Sequence, residues 1–295
     1  MAMRRHAAFL PILATALGIG LFSLMDAFMK SASLAIGAYS ALLLRSLIGL
    51  ALIGPVWVTL KRQWPSAGVL RIHLMRGAVA ASMALTFFFA LTRLPLAEAI
   101  ALSFIAPLIA LWLAALLLGE RIRPQAIVAA VLGLAGTLVI VGGRIGRERM
   151  SEEAAWGLAA LALSAVLYAW NLVLQRQQAL VARPTEVAAF QNGIVSLILL
   201  TAAPWLLVLP DAAGWRDIGA GAVLAVSAAM ILSWAYGRAE AQVLVPVEYS
   251  GFLWAILFGW LFFAEEVTAA TIAGALLIAV GSWISGRSRP EQSAV

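Results

Sequence analysis

Long apolar runs constrain this chain more than any other feature. Windows of about 20 predominantly apolar residues, the length that crosses a ~30 Å hydrocarbon core as helix, fall near residues 8–29, 38–60, 74–92, 97–118, 125–142, 156–174, 185–207, 217–236, 243–263 and 268–286. Backbone polar groups inside hydrocarbon must be satisfied within the segment, so such runs cross as helices. The 295 residues are 63% hydrophobic and 12% charged, more apolar surface than one soluble core of that length hides. The expectation is an all-α integral membrane protein with ten transmembrane helices. Its connections are short and punctuated by proline and glycine: KRQWPSAG, TRLP, GERIRP, VARPTE and LPDAAGW.

The N-terminus, MAMRRHAAFL, places two arginines before an apolar run, as a signal peptide does. The run from Ala7 to Met29 is too long for a signal-peptide core and no A-x-A site closes it, so it is read as a retained first helix. With this end in the cytoplasm, lysines and arginines concentrate on the cytoplasmic side. That distribution predicts both termini in the cytoplasm and a multi-pass protein of the cytoplasmic (inner) membrane. GGRIGRERMSEE, residues 142–153, is the exception, with arginines on the opposite side. The net charge of +6 comes from 20 basic residues spread along the connections, which fits positive-inside topology and not nucleic-acid binding. Cysteine is absent, which excludes disulfides, thiolate metal sites and thiol nucleophiles. His6 and His73 lie in polar flanks and are read as interfacial residues. No H-E-x-x-H, G-x-S-x-G or G-x-x-x-x-G-K-[ST] occurs, so no catalytic residue, metal or cofactor is assigned and ATP-driven transport is disfavoured.

The sequence matches itself at a shift of 145: Arg71 meets Arg216, Ser82 meets Ser227, Arg93 meets Arg238, Glu120 meets Glu265 and Gly136 meets Gly281. In each half a glutamate closes a span (LLLGE, LFFAE) and a Gly-rich helix follows. The expected organisation is two five-helix units, 1–145 and 146–290, with a short cytoplasmic tail, 291–295. Five is odd, so the second unit enters the membrane from the opposite side. Inverted repeats are the architecture of alternating-access carriers, whose site lies near the midplane between the halves.

FFFALTRLPLAEAIALSFIAPLIALWLAALLLGERIRPQAIVAAVLGLAGTLVIVGG resembles the EamA domain of the drug/metabolite transporter superfamily. It has a third helix, a very short connection, a fourth helix with an internal proline, a G-E, and a Gly-rich fifth helix. YGRAEAQVLVPVEYSGFLWAILFGWLFFAEEVTAATIAGALLIAVGSWI resembles a second copy, with AEE in place of G-E. The resemblance covers nearly the whole chain. It implies ten helices, two inverted EamA repeats and movement of small metabolites without ATP.

Charges inside the spans are the candidate site residues, since a charge at membrane depth costs roughly 2.5–3.5 kcal/mol on insertion scales unless it is paired or lines a wet cavity. At the 145 shift Asp26 meets Asn171 and Lys30 meets Gln175; with one inserted residue Arg45 meets Gln191. Asp26, Lys30, Arg45 and Glu98 are placed toward the outer leaflet, and Asn171, Gln175, Gln191 and Asn192 toward the inner one. Asp26, Arg45 and Glu98 are expected to form a network that binds a zwitterionic or charged substrate or acts as a gate. The alternative is structural, with Arg45 neutralising a carboxylate so that helices pack. Lys30 is read as a snorkelling helix end, and Glu120 and Glu265 as boundary residues. Glu248 and Tyr249 follow the helix-breaking Pro246, as Pro107 breaks the fourth span; freed backbone there suits a cavity. Glu248 is a candidate for cation binding or proton coupling. Trp170, beside Asn171, is a candidate to stack on a substrate ring, and Trp234, with Phe89 at its repeat position, is a weaker cavity candidate. Small residues at Ala129, Gly133, Gly136, Ala270 and Gly274 suit close helix packing or dimerisation.

These residues predict a non-enzymatic secondary carrier in the lipid bilayer. The expected substrate is a small metabolite, an amino acid or related amphiphilic or aromatic compound, and the expected direction is export. A nutrient importer of riboflavin-like or S-adenosylmethionine-like compounds is the alternative; a membrane-embedded enzyme or scaffold is the reading from another class. Protons are possible partners through Asp26, Glu98 or Glu248, facilitated exchange being equally compatible, and the protein is expected as a monomer or homodimer.

Overall fold

A computed structural model describes residues 2–60, 64–103, 124–145, 152–265 and 268–286, with residues 106, 109, 110, 113, 116 and 117 between. Among the described residues the chain is helical, without strands. The first element, α1 (Ala2–Thr59), is broken at Gly37, whose φ of 81° and ψ of 153° lie outside the helical region. Its apolar part, Phe9–Thr59, counts 51 residues; straight, it would reach about 76 Å, more than twice the hydrocarbon thickness. Glycine, lacking Cβ, adopts the positive φ that folds the chain back at this point. The first helical segment therefore runs beyond the expected residue 29, and it joins the second without a loop.

The remaining elements are α2 (Ala67–Leu91), α3 (Leu96–Ser103), α4 (Pro124–Ile145), α5 (Glu152–Val181), α6 (Pro184–Leu200), the single-turn α7 (Ala203–Leu206), α8 (Ala212–Tyr236), α9 (Ala241–Leu244), a 3-10 turn (Val245–Ser250), α10 (Gly251–Phe263) and α11 (Ala269–Gly286). Four of the described helices are long and apolar enough to cross a membrane: α1, α2, α5 and α8. The window expected at 243–263 is not one regular helix. Pro246 lacks a backbone donor, and the chain takes 3-10 form around it before resuming as α10.

Element boundaries recur at the same 145-residue offset. Both α2 and α8 count 25 residues, and their first residues, Ala67 and Ala212, are 145 apart. Ser66 caps α2 by accepting from the Val69 N–H, and Asp211 caps α8 by accepting from the Gly214 N–H. Beyond each C-terminus an arginine folds back over an aromatic ring four residues earlier, Arg93 over Phe89 at 3.6 Å and Arg238 over Trp234 at 4.3 Å. The starts of α3 and α9, and of α4 and α11, keep the offset as well. Packing is reciprocal: α1 lies on α8 while α5, which matches the first part of α1, lies on α2, and α4 lies on its own counterpart α11. At the last contact a Cβ on Gly281 would meet the Ala129 carbonyl oxygen at 2.8 Å, so glycine permits that approach. In a membrane, such close packing and interhelical polar contacts take over much of what hydrophobic burial does in water.

Candidate functional site

A cavity of about 220 Å³ opens where α1, α2, α5, α6 and α8 converge with the 3-10 turn. Its wall is largely apolar, with Phe22, Phe87 and Phe88 among the lining residues, and it is interrupted by Asp26, Arg45, Arg76 and Glu248. Two acids and two guanidinium groups therefore share one chamber.

The wall formed by α5 follows helical periodicity. Ser164, Tyr168, Asn171 and Gln175 recur at spacings of three and four, which puts them on one face. Facing them, Arg76 of α2 donates through Nε to Asn171 Oδ1 at 3.3 Å, through one terminal nitrogen to Gln175 Oε1 at 2.7 Å, and through the other to Gln178 Oε1. Three neutral amide oxygens thus hold a buried guanidinium without neutralising it. The amide of Gln178 continues to His73 Nδ1, and His73 Nε2 lies 3.0 Å from Glu186 Oε1.

Glu248, in the 3-10 turn, is buried and accepts from two hydroxyls, Tyr168 at 2.6 Å and Tyr236 at 2.8 Å. Each oxygen of the carboxyl group is occupied by one phenol, an arrangement that holds the group in place with no ion pair within 4.0 Å among the described residues. The two tyrosines come from α5 and α8, so the acid links helices of different parts of the chain.

Asp26 and Arg45 both line the cavity but form no ion pair within 4.0 Å among the described residues. Arg45 contacts Met25 Sδ at 3.8 Å, and its Nε has no hydrogen-bond partner there; neither have Gln175 Nε2 and Gln191 Oε1. Buried polar atoms without partners are uncommon in folded proteins, and these three belong to residues that line the cavity. Asp26 and Arg45 thus lie within each other's electrostatic reach without direct contact.

Of the residues singled out in the sequence, Asp26, Arg45, Asn171, Gln175, Gln191 and Glu248 meet at this cavity. Asn192 lines it as well, so the polar positions assigned to opposite leaflets share one chamber. Trp170 is a correction: it is 41% exposed and lies off the cavity, because consecutive helical residues point about 100° apart and Asn171 takes the inward direction. Trp234 also lies off the cavity, packed beneath Arg238. The side chains of Glu98 and Tyr249, the whole of Pro107 and Glu120, and the side chain of Pro246 lie outside the described residues. Lys30 is not a snorkelling end: it is buried and pairs with Glu265 at 2.9 Å, which makes Glu265 more than a boundary residue. His73 is fully buried, not interfacial. Arg76 and Gln178 do not stand out in the sequence. The polar stripe on α5 was the available signal for them, since it needed a partner on a neighbouring helix.

The EamA-like transporter family model matches the chain twice, over residues 9–142 and 155–287. The chain belongs to the EamA-like transporter family. Its fold is accordingly the EamA membrane fold, and members of this family are transporters, not enzymes. The pseudopaline exporter of Pseudomonas aeruginosa is 31% identical over 274 residues, covering 91% of this chain and 93% of that protein. A riboflavin transporter of Brucella anthropi is 26% identical over 215 residues, 70% of this chain and 73% of its own length. The aromatic amino acid exporter of Ancylobacter novellus is 40% identical over 103 residues, 35% of each chain. A solved crystal structure superposes with a TM-score of 0.75 at 23% identity, covering 94% of this chain and 98% of its own, which bears on the fold. This EamA-family chain is thus a multi-pass membrane transporter of a small molecule.

Proposed function

We propose that the chain is a secondary carrier that exports a small zwitterionic or amphiphilic metabolite, an amino acid or an aromatic relative, across the cytoplasmic membrane by alternating access. The observation that carries this reading is the cavity that brings Asp26, Arg45, Arg76 and Glu248 together within a largely apolar wall. A ligand carboxylate suits the partnerless Nε of Arg45, an ammonium suits Asp26, and the phenylalanines suit an apolar remainder. Glu98, Trp170, Trp234 and Tyr249 stay outside this assignment. Two of the relatives named above are exporters, one of aromatic amino acids.

The architecture belonging to this reading is ten helices in two inverted five-helix repeats, 1–145 and 146–290, followed by the tail 291–295, with both termini in the cytoplasm. Support comes from the 145-residue recurrence of caps, helix starts and cation–π contacts, from reciprocal packing, and from the double match to the family model. Rocking of one repeat on the other would expose the chamber to each side in turn. The riboflavin transporter among the relatives favours a second reading, import of a nutrient with a flat ring system.

Uptake of a pooled, isotopically labelled amino-acid and nucleoside mixture into proteoliposomes, with and without an imposed pH gradient, tests the proposal. Protein-dependent accumulation that falls at least about tenfold in Asp26→Asn, equivalent to ~1.4 kcal/mol of lost interaction, is expected. Wild-type accumulation unchanged by the substitution would remove Asp26 from the pathway.

A further inference from the structure

The hydrogen-bond chain running from the cavity through Arg76, Gln178 and His73 to Glu186 has a single consistent assignment of donors and acceptors. A guanidinium only donates, so Gln178 must turn its Oε1 toward Arg76. Its Nε2 then donates to His73 Nδ1, which must carry a lone pair. The ring proton consequently sits on Nε2 and is donated to Glu186 Oε1 at 3.0 Å. His73 is therefore neutral while Arg76 is engaged.

A second proton on His73 would place Nδ1–H against the Gln178 NH2. Turning that amide over would relieve the clash at the ring but would present NH2 to the guanidinium instead. Both ends of the amide cannot be satisfied with His73 charged and Arg76 in its present position. If Arg76 moves to meet an anion in the cavity, Gln178 is free to turn, and a protonated ring gains Gln178 Oε1 on one side and Glu186 on the other.

The surroundings suit such a relay. His73 and Gln178 are fully buried, while the Glu186 side chain retains 14% exposure and gives an outlet. Phe190 stacks on the imidazole at 4.6 Å, with Trp57 and Trp64 edge-on to Phe190 at 5.4 and 5.5 Å, closing that side. The ionisable groups acting on the ring are Glu186 from α6 and Arg76 from its own helix; α5 contributes the neutral Gln178.

We propose that His73 is a proton-binding site wired to the cavity through Gln178, so that engagement of an anionic group by Arg76 and protonation of His73 favour one another. This rests on the reading of the cavity as the substrate chamber. It assigns proton linkage to the Glu186 end of the chain and not to the carboxylates inside the cavity.

The chain has two histidines, so His6→Gln leaves one reporter. In full-length ¹⁵N-histidine-labelled His6→Gln protein in nanodiscs, NMR is expected to show the neutral Nε2–H tautomer at neutral pH. Gln178→Met, which keeps the Arg76 charge and cuts the wire, is expected to let the imidazolium form appear at about tenfold lower proton concentration. An Nδ1–H tautomer in the parent, or a titration unchanged by Gln178→Met, would overturn the proposal. The parent spectrum decides the tautomer even if the variant does not fold. In proteoliposomes, pooled amino-acid uptake by wild type is expected to depend on pH and His73→Gln to flatten that dependence; retained dependence in His73→Gln contradicts the linkage. Absence of any uptake from the pool bears on the carrier reading alone, because the NMR titration needs no substrate.

Discussion

Replacing Arg76 by alanine is expected to lower transport at least about a hundredfold, equivalent to ~2.7 kcal/mol of lost interaction. The substitution removes one of two guanidinium groups from the cavity wall and leaves Asn171, Gln175 and Gln178 with acceptors turned toward a vacated site. A hydrogen bond to a charged group contributes about 1.5–3 kcal/mol, and unsatisfied buried acceptors carry their own desolvation cost. Arg76→Lys keeps the charge, but a single ammonium on a flexible stem does not reproduce a planar fork that spans three amides. It is expected to retain intermediate activity, within about tenfold of wild type by the same conversion. Initial rates in proteoliposomes, with whichever pooled compound the wild type accumulates, make the comparison. Wild-type rates in Arg76→Ala would reduce Arg76 to a packing residue.

The second large effect concerns stability. Lys30 of α1 lies 2.9 Å from Glu265 Oε1 and 3.2 Å from the Leu94 carbonyl, with the Phe263 ring at 4.7 Å. The same glutamate accepts from the backbone N–H of Leu96 at 2.9 Å and of Ala97 at 3.5 Å, at the start of α3. An anion at a helix N-terminus is favoured by the orphan N–H groups and the helix dipole. Glu265 therefore ties α3 and the end of α10 to α1. Breaking a buried pair from one side costs about 3–5 kcal/mol, because it strands the other charge. Lys30→Met is expected to destabilise by that amount, and Glu265→Gln by a similar amount, since the amide still accepts from α3 but no longer balances the ammonium. The double variant Lys30→Met/Glu265→Gln is expected to lose markedly less than the two single losses together. Thermal unfolding of the detergent-solubilised protein checks this, and additive losses would mean that the pair is not coupled.

Much of this was legible in the sequence for physical reasons. Apolar windows point to a helical chain because hydrocarbon admits little else, and the described residues are helical without strands; the 145-residue match of Arg93 with Arg238 reappears as matching cation–π contacts. Asp26, Arg45, Asn171, Gln175, Gln191 and Glu248 stood out because polar groups at membrane depth need a reason to be there, and they share a cavity. The errors have one origin: a window sees sequence distance, whereas burial is decided by the partner helix. Arg76 and His73, near the start of α2, read as a flank until α5 and α6 are laid over them. Lys30 reads as a snorkelling end until Glu265 arrives from 235 residues away. Trp170 adjoins Asn171 in sequence, but neighbours on a helix face different directions. The stripe spaced three and four apart on α5 runs through Asn171 to Gln178 and passes over Trp170.

Alternating access requires the cavity to open in turn to the two sides of the membrane, and the absence of cysteine makes this directly testable. Ala84 lines the cavity from α2, and Ala84→Cys would be the only thiol in the chain. Labelling of this cysteine by a membrane-impermeant maleimide should be measured in right-side-out and in inside-out vesicles. Modification from both sides is expected, with no ion leak through the vesicles. Modification from one side only, under conditions where the protein transports, would contradict alternating access through this cavity.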